Sequence, residues 1–302
     1  MELTLREARP DDHEAVAAFT RETWPDREFD DYLPDVYPDW VEGEDRYTPL
    51  VEVEGDVAGI AQCVVLSEDE AWCQGMRVDP EHRGEGVARE LTGALFEWAR
   101  ERGALVARNM VFSWNAPSLG LSRTVGFDPT TEFRWAQPAP DAGAEPDLAV
   151  TDDPNAAWRA WTASDARGRL EGLALDLEES WALSELTRAD LRRAADETSV
   201  LAVCDDGLRA MSYRVRDYER EGEEGAERWA VYGVGAWNDL PAARALLAAV
   251  ARDAAAIDAD RTRVLIPETP RFVSDVAALR TRVSEEPDFV LSADLTADRT
   301  RR

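Results

Sequence analysis

The chain has 302 residues, and its 62 acidic against 34 basic residues give a formal net charge of −28 at pH 7. A field this negative repels nucleic acids and anionic membrane surfaces, so we expect neither as a partner. No apolar run approaches the roughly 18 residues that span a bilayer, and the segment 1–6 lacks a signal-peptide pattern, which together favour a cytoplasmic protein.

The first half of the chain is predicted to alternate strands and helices. An alternating pattern begins at Leu3, and Asp11 or Asp12 is placed to cap a helix that runs to about Trp24. Residues 29–41 are predicted to form a second helix or a structured loop. The apolar patterns that follow predict strands at 48–54, 57–66, 70–78, 105–112 and 127–135, and helices at 86–102 and 116–125.

A glycine-containing loop joins the strand that ends at Val78 to the next helix. Gly84 and Gly86 stand in this loop, directly after Arg83. Glycines just before a helix allow several backbone N–H groups to point at one spot, where the helix N-terminus adds unpaired donors and its positive dipole end. The loop is therefore predicted to bind an anion, with Arg83 as a clamp for phosphate. One face of the helix is apolar: Val87, Leu91, Leu95 and Trp98.

The loop differs from the two best-known phosphate-binding motifs, because it has no lysine and because Arg89 stands where a dinucleotide-binding fingerprint has its third glycine. The spacing Arg-x-x-Gly-x-Ala of residues 83–88, after the sequence Val-Asp-Pro, instead resembles motif A of the GNAT (Gcn5-related N-acetyltransferase) family. The predicted element order over residues 3–136 is similar to the fold of that family. The alternative is an ordinary strand-to-helix turn.

The resemblance implies an α/β (α+β) fold, with a GNAT acetyltransferase domain over residues 1–138 whose mixed, mostly antiparallel central sheet is flanked by helices. It also implies acetyl-CoA as the co-substrate. The backbone of Met76 and Val78 would pair with the pantetheine arm like an added strand. The residues that would surround the pyrophosphate are Arg83, Gly84, Glu85, Gly86, Val87, Ala88 and Arg89.

Residues 115–127 resemble a second family signature, Asn-x-x-Ala-x-x-Leu-Tyr-x-x-x-Gly-Phe. By this resemblance Asn115 would bond the pantetheine arm, although capping of the short helix explains an asparagine there equally well. Ser118 would face the cofactor or the core. Ser122 stands where many relatives carry a tyrosine as general acid. Serine is a much weaker acid than tyrosine, so either a water relay replaces the tyrosine or the CoA thiolate leaves without help.

In this family an amine attacks the thioester directly, after it has lost its proton to a base or a water chain. Glu70, at the start of its strand, is the candidate base, with Glu68 and Asp69 equally near in sequence. The alternative for all three acids is a solvated turn in a very acidic chain.

A segment rich in proline and small residues at 139–146 is predicted to be a linker. Residues 147–302 repeat the element order in weaker form, so the resemblance extends to a tandem protein with a second, degenerate GNAT-like domain. The predicted elements of this half are strands at 148–151, 200–204, 208–218, 228–237, 263–266 and 289–295, and helices at 154–165, 184–195, 240–257 and 272–279.

The second half has no Arg-x-x-Gly-x-Gly/Ala spacing at the motif A position. Asp239 is instead predicted to cap the helix that follows, and Pro241 removes one N–H donor. We therefore expect this half not to bind CoA in the family's way. Its expected role is structural, including that of a wall for the substrate cleft.

All 34 basic residues are arginine, and the acidic residues are spread along the whole chain. One interpretation is a cationic substrate or partner. The other, which we favour, is adaptation to a salt-rich cytoplasm, where the Debye length falls to about 3 Å at 1 M salt and surface repulsion is screened. In this respect the chain resembles haloarchaeal proteins.

Cysteine and histidine are too sparse and too scattered to predict a metal site. Cys63, Cys73 and Cys204 are expected to be buried thiols, and His13 and His82 are too few for a histidine-based site, so no metal is expected, although carboxylates alone stay open as ligands. Cys73 is not expected to be a nucleophile, because no histidine lies near it in sequence.

The sequence thus favours an acetyl-CoA-dependent N-acetyltransferase, an EC 2.3.1 acyltransferase whose first domain acylates a primary amine of a small molecule or peptide. The alternatives are a non-catalytic acyl-CoA-binding regulatory protein, and chemistry in the second domain as in tandem relatives such as mycothiol synthases. Acceptor selection would depend on residues 24–32 and 130–135, whose acids and aromatics suit a cationic amine. A monomer and a homodimer are both open.

Overall fold

The computed structural model describes residues 2–21, 23, 31–43, 45–222 and 225–296, and the contacts divide the chain into two units. Unit 1 comprises residues 1–111, 115–129 and 291–302, and unit 2 comprises residues 112–114 and 130–290. Each unit has a mixed, mostly antiparallel sheet flanked by helices, which confirms the predicted fold class. The division into domains at 1–138 and 147–302 stays a prediction. The two units differ from it, because residues 130–138 belong to unit 2 and residues 291–302 belong to unit 1.

The first half of the chain forms the predicted elements in the predicted order, with one further two-residue strand at Arg46–Tyr47. They are β1 (Leu3–Glu7), α1 (His13–Thr20), α2 (Leu33–Trp40), β2 (Arg46–Tyr47), β3 (Pro49–Val53), β4 (Asp56–Val65), β5 (Glu70–Val78), α3 (Val87–Glu101), β6 (Val106–Phe112), α4 (Ala116–Val125) and β7 (Asp128–Gln137).

The sheet of unit 1 has the strand order β1-β3-β4-β5-β6, in which β5 and β6 are parallel and the other neighbours antiparallel. Helices α1 and α2 pack on this sheet through a buried apolar cluster that includes Val16, Leu33, Tyr37 and Trp40. The predicted continuation of α1 to Trp24 lies outside the described residues, and the predicted second helix is confirmed from Leu33 onward.

Helix α3 buries the apolar face that its sequence predicts: Val87, Leu91, Leu95 and Trp98 are all buried. Gly59 on β4 allows the helix to approach the sheet closely. A Cβ on Gly59 would lie 2.6 Å from Val87 Cγ1 and 2.9 Å from the carbonyl oxygen of Arg77. The start of α3 is thereby held directly over the sheet, beside the end of β5.

The second half contains more short elements than its sequence predicts. They are β8 (Ala149–Thr151), α5 (Pro154–Ala163), α6 (Asp165–Arg169), β9 (Leu173–Leu175), β10 (Leu183–Glu185), α7 (Arg188–Glu197), β11 (Ser199–Cys204), β12 (Leu208–Gly222), β13 (Gly225–Tyr232), β14 (Ala236–Trp237), α8 (Leu240–Ala256), β15 (Arg261–Pro267), α9 (Pro270–Ala278), β16 (Arg282–Val283) and β17 (Asp288–Asp294). Residues 138–148, which include the predicted linker, contain no helix or strand.

The sheet of unit 2 has the strand order β7-β15-β13-β12-β11-β8, with β13 and β15 parallel. Helix α8 covers one face, where Tyr232 donates a hydrogen bond to Asp253. The prediction of one helix over 184–195 is wrong at its start, because Leu183–Glu185 pairs with β9. The helix begins only after Thr187, whose side chain forms a reciprocal capping box with Asp190.

The described residues include no helix whose length and hydropathy would let it cross a bilayer.

Candidate functional site

The loop after β5 has an open backbone surface at two glycines. Gly84 has a φ of +84° and Gly86 a φ of +92°, a conformation that side chains with a Cβ rarely adopt. A Cβ at either position would have no heavy atom within 4 Å, so the space in front of both glycines is empty of protein. The loop therefore presents its peptide groups to an unfilled space at the start of α3.

The first N–H groups of α3 are left for a ligand. Gly86 is the N-cap residue and has no side chain with which to accept from them. Within the described part of the chain, the backbone N–H groups of residues 84–88 donate to no protein acceptor. The dipole of a helix of this length adds a partial positive charge at the same place.

Two arginines flank this helix start. Arg83 and Arg89 are exposed, and neither guanidinium has an ion-pair or hydrogen-bond partner among the residues that the structure describes. The neighbouring acid is already engaged, because Glu85 Oε2 lies 2.9 Å from His82 Nδ1. These donors and guanidinium groups lie within residues 83–89, the predicted anion-binding surface, in a chain whose overall charge is strongly negative.

Strands β5 and β6 part in the middle of the sheet. Their parallel register ends at the pair Trp72–Arg108, and beyond it β5 continues beside β4 alone. A bulge follows at Gly75 and Met76, which together oppose one residue of β4. Gly75 has a φ of +60°, and a Cβ there would overlap the Trp40 ring at 1.9 Å. Bulges of this kind redirect side chains next to active sites.

The backbone groups of the two predicted pantetheine contacts, Met76 and Val78, lie along this opening. Met76 lies in the bulge, and Val78 ends the strand opposite Gly59. An extended ligand could pair with the edge of β5 here as an added strand. The opening runs toward the start of α3, so the wedge and the anion-binding surface lie at the same end of β5.

Glu70 lies at the opposite end of β5 and is buried. It accepts a hydrogen bond from Arg108 in a buried ion pair, and Ser67 Oγ lies 3.2 Å from its other carboxylate oxygen. Arg108 is the last β6 residue in register with β5, so this ion pair marks the point where the two strands part. The structure does not test the predicted base role; it shows that the carboxylate is held by two partners.

Asn109 is a polar residue of the wedge that the sequence reading did not select. Its Nδ2 donates to Ser122 Oγ at 3.2 Å, while its Oδ1 is buried without a partner among the described residues. An unpaired buried amide oxygen is costly unless a ligand supplies the missing donor. The available signal was the polar pair Arg108–Asn109 in the middle of an otherwise apolar strand.

Ser122 lies buried on α4 with its oxygen accepting from Asn109, which leaves its O–H free to donate. Asn115 caps α4, because its Oδ1 accepts from the backbone N–H of Ser118 at 3.2 Å. The capping alternative for Asn115 is therefore confirmed. Contacts of Asn115 and Ser118 with a cofactor stay predictions.

Cys73 lies across from Cys63 in the buried pair of strands, with 3.8 Å between the two Sγ atoms. The hydrogen bond to Cys63 and burial together raise the pKa of the Cys73 thiol well above its usual value. Cys63 and Cys73 are buried free thiols, as predicted, whereas Cys204 is half-buried and free. A thiol this protected is a poor nucleophile.

The predicted acceptor-selecting loop is described only at its end, because residues 24–30 lie outside the described residues. Asp31 accepts two hydrogen bonds from Arg77 on β5, at 2.6 and 3.0 Å. The Arg77 guanidinium also lies 5.5 Å from the centre of the Tyr32 ring. This part of the loop is thus fixed to the wedge strand next to Met76.

The corresponding helix start of unit 2 is closed. Asp239 caps α8, since its Oδ1 accepts from the N–H of Ala242 at 3.0 Å, and its other oxygen accepts from Arg209. The bond to Ala242 is the main cause that lowers the pKa of Asp239. Both the cap and the loss of an N–H donor at Pro241 agree with the prediction for this half.

The described residues contain no group of three or more His, Cys, Asp and Glu side chains that could hold a metal ion.

Comparison with known proteins identifies the part of the chain that carries the wedge and the loop. The model of the acetyltransferase (GNAT) family matches residues 10–127. These residues form a GNAT acetyltransferase domain. Its match begins before α1 and ends after α4, so it includes every predicted cofactor-binding residue of the GNAT domain.

Two curated relatives are similar to part of the chain. Streptothricin acetyltransferase of Streptomyces lavendulae is 38% identical over 97 residues, which are 30% of this chain and 49% of the relative. Histidine N-acetyltransferase of Xenopus tropicalis is 41% identical over 73 residues, 24% of this chain and 22% of the relative. The chain therefore matches about half or less of the length of these relatives.

Two solved structures are similar to nearly the whole chain in fold. The GCN5-related N-acetyltransferase of Sphaerobacter thermophilus has a TM-score of 0.61 at 15% identity and covers 97% of this chain and 96% of its own. A putative acetyltransferase of Thermoplasma acidophilum has a TM-score of 0.55 at 16% identity, and the match covers 96% of this chain and 99% of that chain. The second half beside the GNAT domain is therefore part of a fold that other chains share.

Proposed function

We propose that the protein is an acetyl-CoA-dependent N-acetyltransferase whose GNAT domain carries out the transfer. The observation that supports this most directly is the start of α3, where backbone N–H groups without a protein acceptor adjoin the open space at Gly84 and Gly86, next to two arginines that have no partner among the described residues. The pyrophosphate of CoA is an anion of the size and charge that such a helix start binds. Arg83 and Arg89 would clamp it, and the loop glycines would let it approach the backbone.

The thioester end of the donor would lie in the wedge between β5 and β6. Acetyl-CoA supplies the acetyl thioester, and the chain supplies the surroundings. Backbone groups of Met76 and Val78 would pair with the pantetheine arm, and an amide of the same strand would polarise the thioester carbonyl. Direct attack by the amine agrees with the state of Cys73, because burial and a raised pKa keep this thiol from acting as an acyl carrier.

Ser122, supported by Asn109, would serve the leaving sulfur. Since Asn109 donates to the Ser122 oxygen, the hydroxyl hydrogen of Ser122 is free to point at a thiolate. Serine would act here as a hydrogen-bond donor that stabilises the departing thiolate. Glu70 remains the proposed base, and to accept a proton it must first release Arg108.

The acceptor that we propose is a primary amine on a small molecule or peptide. The relatives named for streptothricin and histidine acetylation support an amine acceptor. We further propose that residues 147–302 are a degenerate second GNAT-like domain, that the protein works in a salt-rich cytoplasm, and that it is a monomer or a homodimer.

The test of donor binding is the melting temperature with and without acetyl-CoA in molar KCl. Acetyl-CoA should stabilise the wild type and leave Arg83→Ala unaffected. Arg102→Ala is the matched control, because Arg102 follows the other end of α3, where it lies over the Trp98 ring, and its removal should leave the acetyl-CoA response intact. An absent response in the wild type, or an equal response in Arg83→Ala, would contradict the proposal.

A non-catalytic acyl-CoA-binding regulator is the second candidate, and the serine at position 122 favours it. Release of free thiol from acetyl-CoA in the presence of a broad amine panel separates the two. Amine-dependent release well above hydrolysis would reject the regulator. Stabilisation by acetyl-CoA without any such release would reject the enzyme.

A further inference from the structure

Unit 2 contains an arginine in an aromatic surrounding that lacks an acidic partner. The Arg263 guanidinium lies 4.2 Å from the centre of the Trp181 ring, 4.8 Å from that of Trp135 and 5.5 Å from that of Tyr218. Within the described residues it donates no hydrogen bond, and its Nε is buried without a partner. This differs from most buried arginines, whose donors are bonded to carboxylates or carbonyl oxygens.

The strand registers place this group on the face of the sheet opposite α8. Arg263 pairs with Val231, Val231 pairs with Arg216, and Trp229 pairs with Tyr218, so these side chains share one face. Trp229 on this face also has a buried Nε1 without a partner among the described residues. Two unsatisfied donors on adjacent strands point to a missing acceptor.

The electrostatic surroundings favour an anion. Burial lowers the pKa of Arg263, and the neighbouring guanidinium groups of Arg216 and Arg220 lower it further. Asp288 is the acid near this group, but it lies beyond ion-pair distance and accepts a hydrogen bond from Trp135 Nε1 at 3.1 Å. The groups that act most strongly on Arg263 thus include two further guanidinium groups and one carboxylate.

The shape of the group restricts the kind of anion. Aromatic rings lie against the guanidinium, so its N–H edges are the part left for a ligand, and a carboxylate matches that edge with two parallel hydrogen bonds. The rings around the guanidinium include Trp135 and Trp181, which contact each other edge to face with centres 6.0 Å apart at 89°, and this aromatic surface favours a ligand with an apolar, aromatic body. Asp288 would repel a dianion more strongly than a monoanion, which disfavours phosphate.

We propose that this face of unit 2 is a binding site for a small aromatic monocarboxylate, held by Arg263 through its carboxylate and by the surrounding rings through its planar body. The site is distinct from the acetyl-CoA surface at α3, and it gives the second half of the chain a ligand of its own.

The first test compares benzoate with its neutral isostere benzamide on the full chain, by saturation-transfer NMR and by tryptophan fluorescence. Benzoate should bind and benzamide should not. Cyclohexanecarboxylate should bind more weakly than benzoate, and inorganic phosphate should not displace benzoate. Equal binding of benzoate and benzamide, or tighter binding of phosphate, would overturn the proposal, and this comparison needs no variant that must fold.

The second test uses Arg263→Gln and Arg263→Lys, with Arg261→Gln as the matched control. Arg261 lies two residues away on the same strand but is paired with Glu227. We expect Arg263→Gln to weaken benzoate binding at least about tenfold and the Lys variant to weaken it less, since it keeps the charge but loses the fork. The control should bind within about twofold of the wild type. Unchanged affinity in both Arg263 variants would overturn the assignment.

Failure of this site and failure of the proposed enzyme are distinguishable. The acetyl-CoA response depends on the start of α3, and benzoate binding depends on β15 and its neighbours. Wild-type protein that responds to acetyl-CoA but not to benzoate would reject the monocarboxylate site alone.

Discussion

The two long helices α3 and α8 occupy corresponding positions in their halves of the chain, and they begin in opposite ways. Gly86 starts α3 without a side chain, so the first N–H groups remain open. Asp239 starts α8 with a carboxylate that accepts from Ala242 and from Arg209. The same physical need, an acceptor for the unpaired donors of a helix, is met by the protein at α8, and at α3 we propose that a ligand meets it.

The strands beneath the two helices also differ, because they part in the first half and stay paired in the second. β5 and β6 part after Trp72 and leave a wedge, whereas β13 and β15 stay in register over four residues and Gly235 then donates to Leu265 at 2.7 Å. A sheet that stays closed has no free backbone edge for pantetheine. The proposed absence of CoA binding in the second half therefore has two structural reasons, the helix start and the sheet.

The largest expected effect comes from giving α3 the acidic start that α8 has. Ala88→Asp places a carboxylate in the first turn, where it interacts favourably with the helix dipole, so stability should stay the same or rise by a few tenths of a kcal/mol. Acetyl-CoA should no longer raise the melting temperature, and N-acetylation should fall by at least about 100-fold.

Gly93→Asp is the control for this variant, because Gly93 is exposed on the same helix and its Cβ would meet no atom within 4 Å. It changes the net charge equally and should keep the acetyl-CoA response. If both variants lose the response, the effect is one of overall charge and not of the site.

The second largest effect concerns the point where β5 and β6 part. Glu70→Gln leaves the buried guanidinium of Arg108 without its carboxylate, and we expect a loss of about 3 kcal/mol in the free energy of unfolding. Urea denaturation measures it. If Glu70 is also the base, kcat should fall and the pH-rate profile should lose its acidic limb. A loss of stability with an unchanged pH profile would assign Glu70 to structure alone.

A smaller effect is expected at the closed helix start. Asp239→Ala should cost about 1 kcal/mol of stability, as expected for a lost N-cap. The pKa of Asp239 is lowered in the folded state, so its stabilising contribution is present above its ordinary pKa and is lost as the pH falls through the lowered value. The difference between wild type and variant should therefore shrink in acid, as measured by denaturation at several pH values.

Opening α8 in this way should not create a second CoA site, because Pro241 lacks an N–H and the strands below remain paired. Calorimetric titration should still give one acetyl-CoA per chain. A second bound equivalent in Asp239→Ala would show that the cap alone separates the two halves.

The smallest effect is expected in the wedge. Ser122→Ala removes the proposed donor to the leaving sulfur and should lower kcat by about tenfold or less, with little change in the acetyl-CoA melting shift, because a thiolate leaves tolerably without help. Steady-state kinetics with the best amine of the panel measures it. An increased kcat in Ser122→Tyr would support the role of position 122 in proton return.

The local features of the site could be predicted from the sequence. The strand ending at Val78, the two glycines and the apolar face of α3 all lie in one contiguous segment, so their spacing alone predicts their geometry. The cap at Asp239 was predicted for the same reason. Helix starts depend on side chains three residues apart, and such distances can be read from a sequence.

Features that depend on register between distant strands were not predictable in this way. Asn109 meets Ser122 across 13 residues, and Arg263 meets Trp135 across 128, so neither pair has a spacing that marks it. For a similar reason, the sequence did not predict that residues 130–138 belong to unit 2 and residues 291–302 to unit 1. A strand pattern shows that a strand exists but not which neighbour it pairs with.

Gly59 connects the sheet to the proposed cofactor site through an atom that it lacks. One added methyl group at this position would meet both Val87 and the backbone of Arg77, so α3 could not stay as close to β4 as it does. The start of α3 would then move relative to the proposed pantetheine contacts on β5, and a donor molecule that engages both would bind less tightly. The spacing between the two parts of the proposed cofactor site is therefore determined by the absence of a single carbon atom beneath the helix.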